Sequence, residues 1–231
     1  MALPKIDTPV FMIDLPSTKE TIRYRPFTVR EEKILLMASQ SGEEKDITNA
    51  VEQILTNCIL DDINIKNLAT YEVEYLFLNL RSKSVNNIIE LKIIDDEDEN
   101  EYEITIDLDE VKIQESERTN VIEINDTISL IMKDPNYDSV KKMGKKSEDQ
   151  VMTSMLIDCI DQILVDDDVI LLKDHTKKEQ EEFINSFSSK DMRKLEAYFN
   201  SMPKLSHEVS YTREDGTVVT KTLEGLQTFF T

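Results

Sequence analysis

The stretch Tyr24–Leu36, YRPFTVREEKILL, narrows the folds open to this chain more than any other. Ile22 and Tyr24 alternate with Arg23 and Arg25, the period of a half-buried strand. Pro26 offers no N–H to a ladder and presses Arg25 into an extended conformation, so the strand ends there. Thr28 stands at an N-cap with Glu31 three residues on, a capping box in which hydroxyl and carboxylate each take a backbone N–H. Phe27, ahead of the cap, is placed to staple onto the following turn. Ile34, Leu35 and Ala38 carry the helix forward on one apolar face. The segment predicts hairpin, corner and helix.

Upstream, Val10–Leu15 and Thr21–Tyr24 are the two strands of that hairpin, joined by a polar turn at Pro16–Glu20. Met1–Pro9 is an extended arm, because Pro4 and Pro9 bar a helix; Leu3 and Ile6 are its large apolar anchors. The first helix stops near Ser41-Gly42. A second helix over Asp46–Leu60 has an apolar stripe that includes Val51, Ile54, Leu55 and Cys58. Asp61-Asp62 break it, Ile63 and Ile65 suggest a short extended piece, and a third helix starts near Thr70. Ile88–Ile94 and Tyr102–Leu108 predict a hairpin around the acidic turn Asp95–Glu101, followed by a further strand or two within Val111–Ile124. Thr127–Lys133 suggests a short helix closed by Pro135.

Lys141–Glu148 is the most loop-like stretch, with Gly144 among Lys141, Lys142, Lys145 and Lys146. Beyond it come a helix over Gln150–Leu164, an acidic break at Asp166–Asp168, a second capping box at Thr176/Glu179 and a helix over Ser189–Ser201. The final hairpin pairs His207–Tyr211 with Thr217–Thr222 across Glu214-Asp215-Gly216, a strong turn signal. The expected fold class is α+β, helices with about three β-hairpins. The expected organisation is 1–140, a Lys-rich linker over 141–149 and a helical C-terminal half over 150–231. A helix carrying Cys58 or Cys159, then an acidic break, precedes a hairpin in each half; duplication and coincidence of pattern both remain open.

Composition limits function. Forty-seven acids against 27 bases leave a net charge of -20. Nucleic-acid affinity depends on Lys/Arg displacing counterions from phosphates, so a nucleic-acid partner is not expected; the same charge disfavours an anionic membrane. Only 4 Gly are present, which nearly removes Gly-rich phosphate loops from consideration. Cys58 and Cys159 sit in apolar runs where Cys is a small core residue, and so few cysteines fit a reducing compartment. With no apolar leader, the chain is expected to stay in the cytoplasm where it is made.

No stretch has the pattern of a catalytic site. Asp96, Asp98 and Asn100 match the first ligands of a calcium loop, but Glu101 occupies the required Gly position and Asp107 stands where the bidentate Glu belongs. His175 and His207 have no neighbouring ligands for zinc. No catalytic residue, cofactor or metal is therefore expected. An enzyme with an unrecognised carboxylate site stays open, and would show converging acids in a concave pocket. The surplus chemistry lies in sticky segments: the proline-bearing arm Leu3–Val10 with Leu3 and Ile6 as its anchors, the Arg25-Pro26-Phe27 corner, and Leu226, Phe229 and Phe230 of the tail. These are the candidate partner-binding residues, with capping of the chain's own core as the equal alternative for the tail.

The opening Leu3–Phe11, LPKIDTPVF, followed by YRPFTVREEKILL, resembles the baseplate hub subunits and hub-assembly proteins of T-even-like contractile-tailed bacteriophages. The ending adds to the likeness, with YFNSMPKL at Tyr198–Leu205 and LEGLQTFF at Leu223–Phe230. The likeness covers both ends and only the general acidic character of about 88–147. It implies a non-enzymatic part in assembling the central hub of the tail baseplate, with other hub or tape-measure proteins as partners and a homo-oligomer as a further option. It places the protein in the host cytoplasm during assembly and in the virion tail afterwards. The R-P-F-T-V text is also similar to tail-assembly chaperones of other long-tailed phages, so a transient chaperone absent from the mature virion is the alternative.

Overall fold

Pro26 ends a strand and Thr28 opens a helix in the computed structural model of the chain, which describes residues 6–114, 118–143, 148–166 and 168–229. In chain order the elements are β1 (Phe11–Asp14), β2 (Thr21–Tyr24), α1 (Val29–Ser41), α2 (Glu44–Cys58), α3 (Thr70–Ser84), β3 (Ile88–Ile94), β4 (Glu101–Asp107), β5 (Lys112–Gln114), β6 (Val121–Glu123), β7 (Ile128–Met132), α4 (Tyr137–Met143), α5 (Glu148–Cys159), β8 (Ile160–Val165), β9 (Asp168–Ile170), α6 (Lys177–Asn185), α7 (Ser189–Asn200), β10 (Lys204–Thr212) and β11 (Val218–Glu224). The fold is α+β, and the expected hairpins β1–β2, β3–β4 and β10–β11 all form.

The chain divides into two units, Met1–Gln114 with Lys204–Thr231, and Glu115–Pro203. β5 and β10 are antiparallel, with Gln114 opposite Lys204. The second unit is therefore inserted between two paired strands of the first, which keeps the ends of the insertion close together. This corrects the boundary expected over 141–149. Both α4 and α5, on either side of that stretch, belong to the second unit, and residues 144–147 of the expected linker lie outside the described residues. A polar, Lys-rich run signals solvent exposure, not a gap between two cores.

In the first unit, Phe11 faces Tyr24 and Ile13 faces Ile22 across the β1–β2 hairpin. The end of α2 runs alongside β2: the Arg25 N–H donates to the Cys58 carbonyl at 3.0 Å and the Leu60 N–H to the Arg23 carbonyl at 2.9 Å. α1 stops at Gly42, whose φ of 68° is left-handed backbone that suits glycine. α2 packs beside α1 and α3, burying Ile54, Leu55 and Cys58 from α2 and Val73, Phe77 and Leu80 from α3. The apolar alternation of β3 and β4 buries Ile89, Leu91, Ile104 and Ile106. A strand-period face and a helix-period face thus supply the core.

The second unit is built on an antiparallel sheet in the order β6-β7-β8-β9. Its core joins Leu130 and Met132 of β7 and Ile163 of β8 to Leu156 of α5, Ile184 of α6 and Leu195 of α7. Thr176/Glu179 forms the expected capping box, the Glu179 carboxylate accepting the Thr176 N–H at 2.8 Å. Ser188 and Asp191 repeat the arrangement at α7.

Two expected helices are corrected in this unit. The stretch 127–133 holds strand β7, paired on both sides by β6 and β8; its short I-S-L-I-M text has no decisive period, and pairing on both edges settles it. The helix expected over 150–164 ends at Cys159, and β-branched Ile160, Ile163 and Val165 continue as β8. Consequently α2 leads through a turn to α3, whereas α5 runs straight into a strand, and the resemblance between the Cys58 and Cys159 stretches does not extend to their structures. The extended piece expected at Ile63–Ile65 gives way to a short 3-10 turn over Ile65–Asn67, opened by the Asn64 side chain accepting the Lys66 N–H.

Both cysteines are fully buried. Burial pushes the Cys58 thiol up to about 11 and the Cys159 thiol up to about 12, which suppresses the nucleophilic thiolate. Native protein at pH 8 is expected to leave both unreacted with a thiol-selective chromogenic disulfide over the time in which the denatured chain reacts fully. Rapid labelling of the native protein would contradict this burial.

Candidate docking face

The hairpin register sorts the N-terminal side chains onto two faces. Phe11, Ile13, Ile22 and Tyr24 turn inward, which leaves Val10, Met12 and Arg23 on the other side, since successive strand residues alternate. Leu60, bonded through its N–H to Arg23, extends this outer row. Val10 is 56%, Met12 73% and Leu60 46% exposed. Arg23 is held in the row by Asp61, whose carboxylate accepts its backbone N–H at 2.6 Å, its Nε at 3.0 Å and its Nη2 at 2.6 Å. These bonds hold Asp61 below the ordinary carboxylate range. The residue that breaks α2 thereby fixes the Arg23 cation beside Met12 and Leu60. Ile6 of the arm is 92% exposed.

α1 presents a second apolar strip. Ile34, Leu35 and Ala38 turn toward the protein as expected, while Val29, Leu36 and Met37 stand exposed on the opposite side, spaced by one and two turns around Lys33.

The Arg25-Pro26-Phe27 corner serves the fold. Arg25 donates to the Pro26 carbonyl at 3.0 Å, the Asn57 carbonyl at 3.1 Å and Glu31 at 3.2 Å. Phe27 is buried and its N–H donates to the Ser84 hydroxyl at 2.9 Å. Glu31, also buried, accepts the Thr28 N–H at 2.9 Å and hydroxyl at 2.7 Å. Burial pushes its carboxyl up, but the bonds from Thr28 and Arg25 more than reverse this and hold it down at about 2.

The tail divides similarly. Leu226 and Phe229 are buried in the first unit, the alternative foreseen for them; Phe230, like Leu3, lies outside the described residues. Of the eight residues singled out in the sequence, Ile6 alone is both described and largely exposed. Val10 entered only as the end of the arm, and Met12, Leu60, Val29, Leu36 and Met37 were not singled out. Their signal is a surplus: β1 and α1 carry large apolar residues on both faces, where a half-buried element needs only one.

The acidic turn between β3 and β4 is structural. Asp95, almost fully buried, accepts the Tyr211 hydroxyl at 2.5 Å and Arg213 Nε and Nη2 at 3.0 Å each. The bond from Tyr211, with those from Arg213, holds its carboxyl well below the ordinary range despite burial. Asp96 pairs with Lys221 at 2.8 Å and Asp98 accepts the Tyr102 hydroxyl at 2.6 Å. Of the carboxylates that resembled a calcium loop, Asp96 thus joins this hairpin to β10–β11 and Asp98 braces its own hairpin. Among the described residues no group of three or more His, Cys, Asp or Glu is placed to hold a metal ion, and no helix is long and apolar enough to cross a membrane.

The described residues thus form an α+β fold that turns apolar rows outward and engages Glu31, Asp61 and Asp95 in structural bonds. The family model for T4 bacteriophage base plate proteins matches residues 8–231, and the chain belongs to that family. No curated protein and no solved structure matches it.

Proposed function

We propose that this baseplate protein is non-enzymatic and acts in assembly of the central hub, docking on hub or tape-measure proteins through its N-terminal hairpin. The observation that carries this reading is the outer row of that hairpin, where Val10, Met12 and Leu60 are exposed side by side around a clamped Arg23. Exposed apolar rows rimmed by charge are how subunits bury surface on one another. The acidic body disfavours nucleic acid as the partner.

Quantitative mass spectrometry of mature phage particles, beside tail-assembly intermediates from infected cells, tests the role. A small fixed copy number in mature particles is expected for a hub subunit. Presence in intermediates alone would identify a transient chaperone, and absence from both would overturn the hub reading. At the surface itself, Met12→Ser is expected to lower co-purification of the hub partner about tenfold, the worth of one buried apolar side chain. Its thermal unfolding should match that of the parent protein. Undiminished co-purification would remove the hairpin row from the interface.

A further inference from the structure

The free edge of β3 carries an inference beyond hub docking and independent of it. Among the described residues β3 and β4 form a two-stranded sheet, so no described strand pairs with the other edge of β3. Two bonds fix which residues face that edge. The Leu108 N–H donates to the Asn87 carbonyl at 2.7 Å and the Asp95 N–H to the Asn100 carbonyl at 2.9 Å. Residues 87, 89, 91, 93 and 95 therefore aim their backbone groups at β4, and Ile88, Glu90, Lys92 and Ile94 aim theirs away from it. At the ends of this edge Asn86 takes the Ile88 N–H and Lys221 donates to the Ile94 carbonyl. The N–H and C=O groups of Glu90 and Lys92 lie between. A groove of about 580 Å³ runs beside Ile88–Leu91, bounded by Arg81, Val85 and Phe229. Such an edge is a template for another strand.

We infer that the strand it receives is β3 of a second copy, paired antiparallel about Leu91. In that register Glu90 faces the partner's Lys92, Lys92 faces the partner's Glu90, and Ile88 faces the partner's Ile94. The outward N–H and C=O groups of Glu90 and Lys92 are matched by those of the partner, and the contact is isologous, as a two-fold dimer requires. A shift by one step in either direction sets Glu90 against the partner's Glu90, or Lys92 against the partner's Lys92. Like charges directly opposite destabilise a sheet, so the sequence favours one register. Lys92 already pairs with Glu101 at 2.6 Å on its own sheet, and the partner's Glu90 extends the alternation of charge across the four strands. Ile88 and Ile94, 39% and 66% exposed, gain an apolar neighbour.

One edge buries less than the roughly 1,600 Å² of a standard interface, and two copies of charge -20 repel. The dimer is therefore weak, and is measured at about 0.15 M salt, where screening confines that repulsion to about 8 Å. Sedimentation equilibrium across a concentration series reaching the millimolar range is expected to show the mass rising from 26.8 kDa toward twice that value. Glu90→Lys is expected to weaken association about tenfold or more, because two attractive pairs become repulsive. The exchange Glu90→Lys with Lys92→Glu should restore it. In the unmodified protein, amide hydrogen exchange at Glu90 and Lys92 should slow as concentration rises. A monomer at every concentration overturns the proposal. So does a dimer that Glu90→Lys leaves intact, or one whose Glu90 and Lys92 amides exchange as fast as in the monomer.

Discussion

Phe229→Ala is expected to lower unfolding stability by about 3–5 kcal/mol, the usual cost of emptying a buried aromatic site. Phe229 is 1% exposed at the end of a short turn, Leu226–Phe229, that packs on α3. The turn is tied down on its approach: the Gly225 N–H donates to the Leu205 carbonyl at 2.9 Å, and the Thr228 hydroxyl to the Gly225 carbonyl at 2.8 Å. A loss of this size is a large share of the roughly 5–15 kcal/mol that holds a typical domain folded. Urea denaturation followed by circular dichroism measures it. Ile6→Ser in the same assay should change stability by less than about 0.5 kcal/mol, since an exposed side chain has little burial to lose. If Phe229→Ala cost under about 1 kcal/mol, the tail would return to the docking segments.

Glu31→Ala is the second large effect, expected to cost about 3 kcal/mol. The carboxylate closes the capping box with Thr28 and neutralises Arg25, so its removal leaves an N-cap N–H and a half-buried guanidinium without their partner. The same group predicts a pH dependence. Its carboxyl is held at about 2 in the folded protein, against an ordinary value of 4.5. Its contribution is therefore complete above the unfolded value and disappears as pH falls from about 5 toward 2, where the unfolded chain binds the proton more readily. The parent protein should lose more stability than Glu31→Gln over that interval. Parallel stability–pH curves would show that Glu31 is not held in its charged form by the fold.

The strand-to-helix corner was legible because its determinants are local. Pro26, Thr28 and Glu31 lie within one turn of each other, and their chemistry needs no distant partner. The Asp-Gly turn of β10–β11 and the Thr176/Glu179 box were legible for the same reason. The docking face was only partly legible. Leu226 and Phe229 have the composition of a sticky tail, and whether such residues face solvent or core depends on α3, far away in sequence. Met12 was overlooked because a strand with apolar residues on both faces has the pattern of a fully buried one.

Local sequence settled where elements begin, what caps them and which side chains alternate, since propensity, capping and turn chemistry act over a few residues. Tertiary structure decided what those residues could not. It made 128–132 a strand by supplying neighbours on both edges, and it ended α5 at Cys159 by offering β7 as a partner for β8. It joined Asp95 to Arg213 and Glu72 to Ser17 across long stretches of chain, and set the insertion of one unit between β5 and β10. Each of these depends on which segments meet in space, and burial or pairing between distant segments outweighs the small local preferences that sequence patterns register.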